Sequence, residues 1–302
     1  MAAQSQAVTM FLKAQKSLEK ATNSASSSFS KWFSSGSSNY EATGDLFQQS
    51  GNQFKASLEK RFKEAGDAFK EEAKCREAMG DDARNEAANA WWQAAKAYKQ
   101  GYPDLAVDAL THTIKHFCST GKFRQAADRE KEIAQIYVKE LNDVRRGCES
   151  YDQAADWYDQ EDSKATATSC RKEAADLYAE LGDYPAAIQR YKKVAESYME
   201  SPLTRFNVKE IWLRQGLCAL AMGDYAQAAN LLTQTRNIDP TFQTTREGKF
   251  LSTLTDAFSQ EDVEMFTNAL VEWDHVSKLD NWKTAVLLAA KQKLQADDEG
   301  YR

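Results

Sequence analysis

"GDYPAA", residues 182–187, and "GDYAQAA", residues 223–229, stand 41 residues apart, and the order of residue types within them decides how the chain folds. Glycine enters the left-handed conformation that closes a helix, and an alanine five residues on lets the next helix lie close to its neighbour. Ala187 follows Gly182 at that spacing, as Ala228 follows Gly223, Ala126 follows Gly121 and Ala106 follows Gly101. Breaks of this kind fall at Gly80, Gly101, Gly121, Asn142–Asp143, Glu161–Asp162, Gly182, Ser201–Pro202 and Gly223, every 19 to 22 residues. Each interval holds one helix and its connection.

Between the breaks, "NEAANAWWQAAKAYK" and "KEIAQIYVKEL" place apolar residues three and four apart, the pattern of amphipathic helices. No run alternates with period two, so the chain is read as all-α. Forty-one residues is the period of a helical hairpin, and the pattern resembles the tetratricopeptide repeat, lengthened from its usual length of about 34 residues. The expected architecture is a helical-hairpin solenoid, a right-handed superhelical sheet of antiparallel helices, because a pair that cannot bury its apolar face alone stacks on the next. After Pro240 the glycine-to-alanine spacing lapses and three further helices read as a closing bundle. The expected domains are 1–239, which includes a Ser-rich aromatic loop at 22–39, and 240–302 with an acidic tail.

Composition narrows the function. Of 302 residues, 42% are hydrophobic and 28% charged, ordinary values for a folded protein. A net charge of -6 argues against a general nucleic-acid binder, which needs a basic excess. No signal-peptide core and no run of about 18 apolar residues is present, so the expected location is cytoplasmic. Cys75, Cys118, Cys148, Cys170 and Cys218 are scattered singly and read as reduced packing residues.

Catalytic patterns are missing from the sequence. His112 and His116 share a helical face without a third metal ligand, so no metal site is expected. Asp81 and Asp82 read as helix-start residues rather than an acid/base pair. No phosphate loop or nucleophile elbow occurs, and neither an enzyme, a cofactor nor a small-molecule substrate is expected.

Three surfaces remain. "SSSFSKWFSSGSS", residues 26–38, sets Phe29, Trp32 and Phe33 among eight serines. Either the rings fold back onto the helices, or they enter the bilayer interface while the lysine beside them stays with the headgroups. Second, Lys122, Arg124, Arg129, Arg171, Lys172, Arg205, Lys209, Arg246 and Lys249 recur about once per hairpin. They form either one face toward a long acidic partner or a solvated scatter. Third, "QADDEGYR" ends the chain with an acidic cluster and Tyr301.

The run from "GKFRQAADREKEIAQIYVKEL" to "SKATATSC", then "SPLTRFNVKEIWLRQGLCAL", "DPTFQTTREGKF" and "SKLDNWKTAVLL", closely resembles the alpha-type soluble NSF attachment proteins over nearly the whole chain. The resemblance implies an adaptor that wraps a SNARE four-helix bundle and recruits the NSF-type hexameric AAA ATPase that takes the bundle apart. It also implies that Phe29, Trp32 and Phe33 touch a membrane, which makes the protein peripheral on membranes. The nine cations would grip the bundle, and the tail with Asp297, Asp298, Glu299 and Tyr301 would meet the ATPase. Arg246 and Lys122 stand where the family is basic. Asp128 and Ser169 replace family lysines, with Arg129 and Lys131, and Arg171 and Lys172, close by. Tyr301 stands in place of the family's leucine. A peptide-binding repeat scaffold and a gamma-type attachment protein are the alternative readings.

Overall fold

The computed structural model describes the backbone of residues 2–25 and 35–300 and the side chains of 6–23 and 38–296. Within them are fourteen α-helices and no strand. The chain divides into two compact units, Met1–Asp143 and Val144–Arg302, and the sequence boundary near Pro240 lies inside the second.

The first unit holds α1 (Ala2–Ala25), α2 (Ser35–Ala56), α3 (Phe62–Ala78), α4 (Arg84–Tyr98), α5 (Pro103–Ser119) and α6 (Phe123–Lys139). The second holds α7 (Val144–Gln160), α8 (Lys164–Glu180), α9 (Tyr184–Glu200), α10 (Val208–Ala221), α11 (Tyr225–Ile238), α12 (Arg246–Ser259), α13 (Val263–Val276) and α14 (Asn281–Gly300). In each unit, helices consecutive in sequence pack on one another. The stretch read as a loop over 22–39 is helical at both ends, because α1 runs to Ala25 and α2 opens at Ser35. Serine ranks mid-scale as a helix former, so a serine-rich stretch can still enter a helix. Phe29, Trp32 and Phe33 lie outside the described residues.

The "GD" pair works at two helix ends at once. Gly182 and Gly223 take positive φ of 76° and 82°, and the amide after each reaches back five residues, Asp183 to the carbonyl of Tyr178 and Asp224 to that of Ala219. That bond closes the outgoing helix in the Schellman manner. The aspartate side chain then accepts the first free amides of the incoming helix, from Ala186 onto Asp183 and from Gln227 onto Asp224. Asp162 and Glu261 take the same left-handed conformation without glycine, at φ of 53° and 54°.

The four spaced alanines, Ala106, Ala126, Ala187 and Ala228, are fully buried. In the first unit α1 docks on α2 through Phe11, set edge-to-face on Phe47 at 5.4 Å. In the second, Trp212 meets Phe242 edge-to-face at 5.1 Å, and Gly216 faces Leu251 so closely that an added Cβ would stand 2.5 Å from it. Four cysteines are buried and Cys118 is half-buried, all as free thiols. Burial pushes the Cys75 and Cys148 thiols up to about 12, far from reactivity. Among the described residues no helix is long and apolar enough to cross a membrane.

Candidate interaction surface

Polar bridges join helices two apart in sequence. In the first unit Glu77 of α3 meets His116 of α5 at 2.8 Å, while Lys99, the residue that caps α4, meets Glu132 of α6 at 2.7 Å. In the second, Arg190 of α9 donates to Asp152 of α7 at 2.9 Å, Arg214 of α10 meets Asp176 of α8 at 2.9 Å, and Lys209 of α10 meets Glu247 of α12 at 3.4 Å. Within each unit, then, odd helices line up beside odd and even beside even. Apolar packing holds the two rows together.

Each of the nine cations read from the sequence lies in, or just before, an even helix of its own unit. Lys122 is the residue before α6, which carries Arg124 and Arg129. Arg171 and Lys172 lie on α8, Arg205 in the 3-10 turn that leads into α10, Lys209 on α10, and Arg246 and Lys249 on α12. Arg124, Arg205 and Lys249 are exposed, and the other six are half-buried.

Their surroundings differ. Arg171 is held by Asp156 and Asp159 of α7, Lys172 by Asp176 at 2.8 Å, Lys209 by Glu247 and Arg129 by Glu132 at 3.2 Å. Burial disfavours the Arg171 charge, but the two aspartates outweigh it and hold its pKa above the ordinary value. Among the described residues Lys122 meets the amide oxygen of Asn85 at 2.6 Å and no carboxylate, and Arg124, Arg205 and Lys249 are exposed and unpaired. Arg246 lies flat on Trp273, 3.7 Å from the ring centre, and donates to the Trp273 carbonyl. With Lys249, Thr244, Phe250 and Glu272 it lines a cavity of about 380 Å³.

Two constellations escaped the sequence reading. Around Trp92 of α4, Lys96 stands 3.2 Å and Arg129 4.4 Å from the ring centre, with the Lys99–Glu132 pair alongside. Burial and the nearby Arg129 and Lys55 charges push the Lys96 pKa down. Only the spacing of Trp92, Lys96 and Lys99 along one helix hinted at this. In the second unit, Arg214 contacts Asp176, Glu210 and Asp280, and Lys283 of α14 contacts Glu210 at 2.7 Å and Asp280 at 3.0 Å. The indole of Trp282 donates to the Asp176 carbonyl, and the Tyr191 hydroxyl donates to the Asp176 carboxylate. No sequence signal joins residues so far apart.

His112 stacks on Trp91 at 4.1 Å and His116 pairs with Glu77, and among the described residues no group of three His, Cys, Asp or Glu is placed for a metal ion. Asp81 and Asp82 open the short 3-10 turn before α4. Asp297, Asp298 and Glu299 fall in the last stretch of α14 with side chains outside the described set, and Tyr301 lies beyond the described residues.

Paired helices with charged outer flanks define a class, the helical-hairpin proteins whose helix faces serve as recognition surfaces. Residues 7–295 match the family described as "Soluble NSF attachment protein, SNAP", and the chain belongs to that family. It is 53% identical to the vesicular-fusion protein SEC17 of Coprinopsis cinerea, over 94% of this chain and 96% of that one. Its identity is 34% with the alpha-soluble NSF attachment protein of Saccharomyces cerevisiae, over 91% and 93% of the two chains. With the protein of that name from Homo sapiens it is 30%, over 94% of each.

Proposed function

We propose that this chain is an adaptor of vesicle trafficking that binds assembled SNARE four-helix bundles through its even helices and recruits an NSF-type hexameric AAA ATPase for their disassembly. Family membership supports this reading, and the placement of all nine cations in or just before even helices within each unit carries it at the level of residues. A coiled bundle with an acidic flank would meet these cations in each unit. Among the described residues Lys122, Arg124, Arg205, Arg246 and Lys249 are the cations that meet no carboxylate, and they lead the recognition. Arg129, Arg171, Lys172 and Lys209 shape the rows.

Phe29, Trp32 and Phe33 would touch the membrane and keep the adaptor peripheral on it. The tail with Asp297, Asp298, Glu299 and Tyr301 would meet the ATPase. Residues 240–302 would act as the closing segment that presents this tail.

A disassembly assay with purified ATPase, an assembled SNARE bundle and this chain tests the whole: release of bundle subunits is expected only with the chain present. Binding should weaken as salt rises, since exposed charges are screened beyond about 8 to 10 Å. Salt-indifferent binding would remove the charge mechanism. Liposome flotation should fall when Phe29, Trp32 and Phe33 are all changed to serine, and unchanged flotation would remove the membrane role.

One observation favours a second reading. A groove of about 600 Å³ across α9, α10 and α11 combines Trp212, Leu231 and Met199 with Gln215, Gln227 and Asn230, a lining suited to a short peptide tail. Competition of bundle binding by a C-terminal peptide would support it.

A further inference from the structure

Lys96 and Arg129 both lie against the ring of Trp92, which puts the two charges no more than about 8 Å apart. The charged groups acting on Lys96 are Arg129 and Lys55, which repel it, and Glu132, the single acid. That acid is already shared, at 2.7 Å with Lys99 and 3.2 Å with Arg129. Lys99 and Arg129 therefore already occupy the one carboxylate that acts on Lys96, while Lys55 of α2 adds a further positive charge. The Trp92 ring is half-buried, and its indole N–H is buried with no acceptor among the described residues. A buried donor without a partner is costly, and crowded cations are relieved by a further anion.

We infer that Trp92, Lys96 and Arg129, flanked by Lys55 and Lys99, form a recognition hot spot that takes a carboxylate side chain of an acidic helical partner. The inference rests on the function proposed above, and the partner is the same bundle. The entering carboxylate pairs with Lys96 and draws its flexible stem off the indole. The uncovered N–H then gains an acceptor, while Arg129 stays stacked on the ring. An aromatic ring beside an arginine, bordered by polar groups, is the usual make-up of an interface hot spot.

The test measures binding of an assembled SNARE bundle to the full chain and to Lys96→Glu, Lys96→Gln and Trp92→Phe, with Lys63→Gln as a control whose lysine lies on α3 and already has Asp67. Lys96→Glu should weaken binding by about tenfold or more and Trp92→Phe by several-fold. Trp92→Phe keeps an aromatic face but replaces the indole, N–H included, by a smaller ring, so the part of the fluorescence change on binding that comes from Trp92 should vanish while the salt dependence persists. Thermal melts show whether each variant folds, and if Lys96→Glu does not, Lys96→Gln and Trp92→Phe decide. Wild-type binding equalled by Lys96→Gln and Trp92→Phe overturns the hot spot and leaves the adaptor reading standing. A wild-type chain that binds no bundle overturns both.

Discussion

Two clusters of charge, one in each unit, contain similar residues and do opposite things. Around Trp92, Lys99 and Arg129 share Glu132 while Lys96 and Lys55 add two more positive charges, whereas around Arg214 the three acids Asp176, Glu210 and Asp280 meet Arg214, Lys283 and Lys172. The second cluster is balanced. Burial works against the Arg214 charge, but Asp176, Tyr191 and Glu210 outweigh it and hold its pKa above the ordinary value. Its cations are committed to fixing α14 on α8 and α10, and those around Trp92 retain charge for a partner. A basic residue on a helix flank becomes a recognition group only where the acids around it are too few.

The sharpest way to break the contrast is to unbalance the second cluster. Arg214→Ala leaves the three acids with only Lys172 and Lys283 and should cost about 3 to 5 kcal/mol, toward the lower figure because Glu210 and Asp280 keep contact with water. Urea unfolding would measure it, and a loss below about 1 kcal/mol would mean that the network does not anchor α14.

Glu72 of α3 sharpens the contrast from the other side, as an acid that its surroundings fail to satisfy. It is buried, receives one hydrogen bond from Gln48 at 2.9 Å, and leaves its second oxygen without a partner among the described residues. Burial, only partly offset by Arg76, pushes its pKa up to about 7. The folded state therefore holds a proton that the unfolded chain releases near its ordinary carboxylate value. This contribution is fully present below about pH 4.5 and is lost as pH rises to about 7. Glu72→Gln should remove that slope and stabilise the protein by about 2 kcal/mol at pH 8. Denaturation midpoints of both proteins between pH 5 and 8 check this, and parallel curves would rule it out.

The smallest effect belongs to a charge that is satisfied by backbone alone. Asp224→Ala removes the bond from the Gln227 amide and should lower stability by about 1 kcal/mol in a thermal melt. Asp183→Ala removes the matching bond from Ala186 and should cost about the same. A large difference between the two would show that the repeated turns are not equivalent.

The fold was largely legible because its signals are local. Gly182 with Asp183 and Gly223 with Asp224 end one helix and start the next within two residues, and Ala187 and Ala228 need only a neighbouring backbone. The opening of α2 at Ser35 was not legible, since serine neither demands nor forbids a helix. The cations were legible as residue types, and their even-helix placement follows from helix alternation. Their availability was not, because Lys172 and Lys249 look alike in a sequence and differ only in Asp176.

By itself, then, the sequence determined the helices, their punctuation and the family, since each depends on contacts within a few residues or on a long pattern of matches. Tertiary structure alone decided which charges are spent. Lys96 meets Arg129, and Asp176 meets Arg214 and Trp282, across dozens of residues, and electrostatic energy depends on distance in space and on burial rather than on position along the chain.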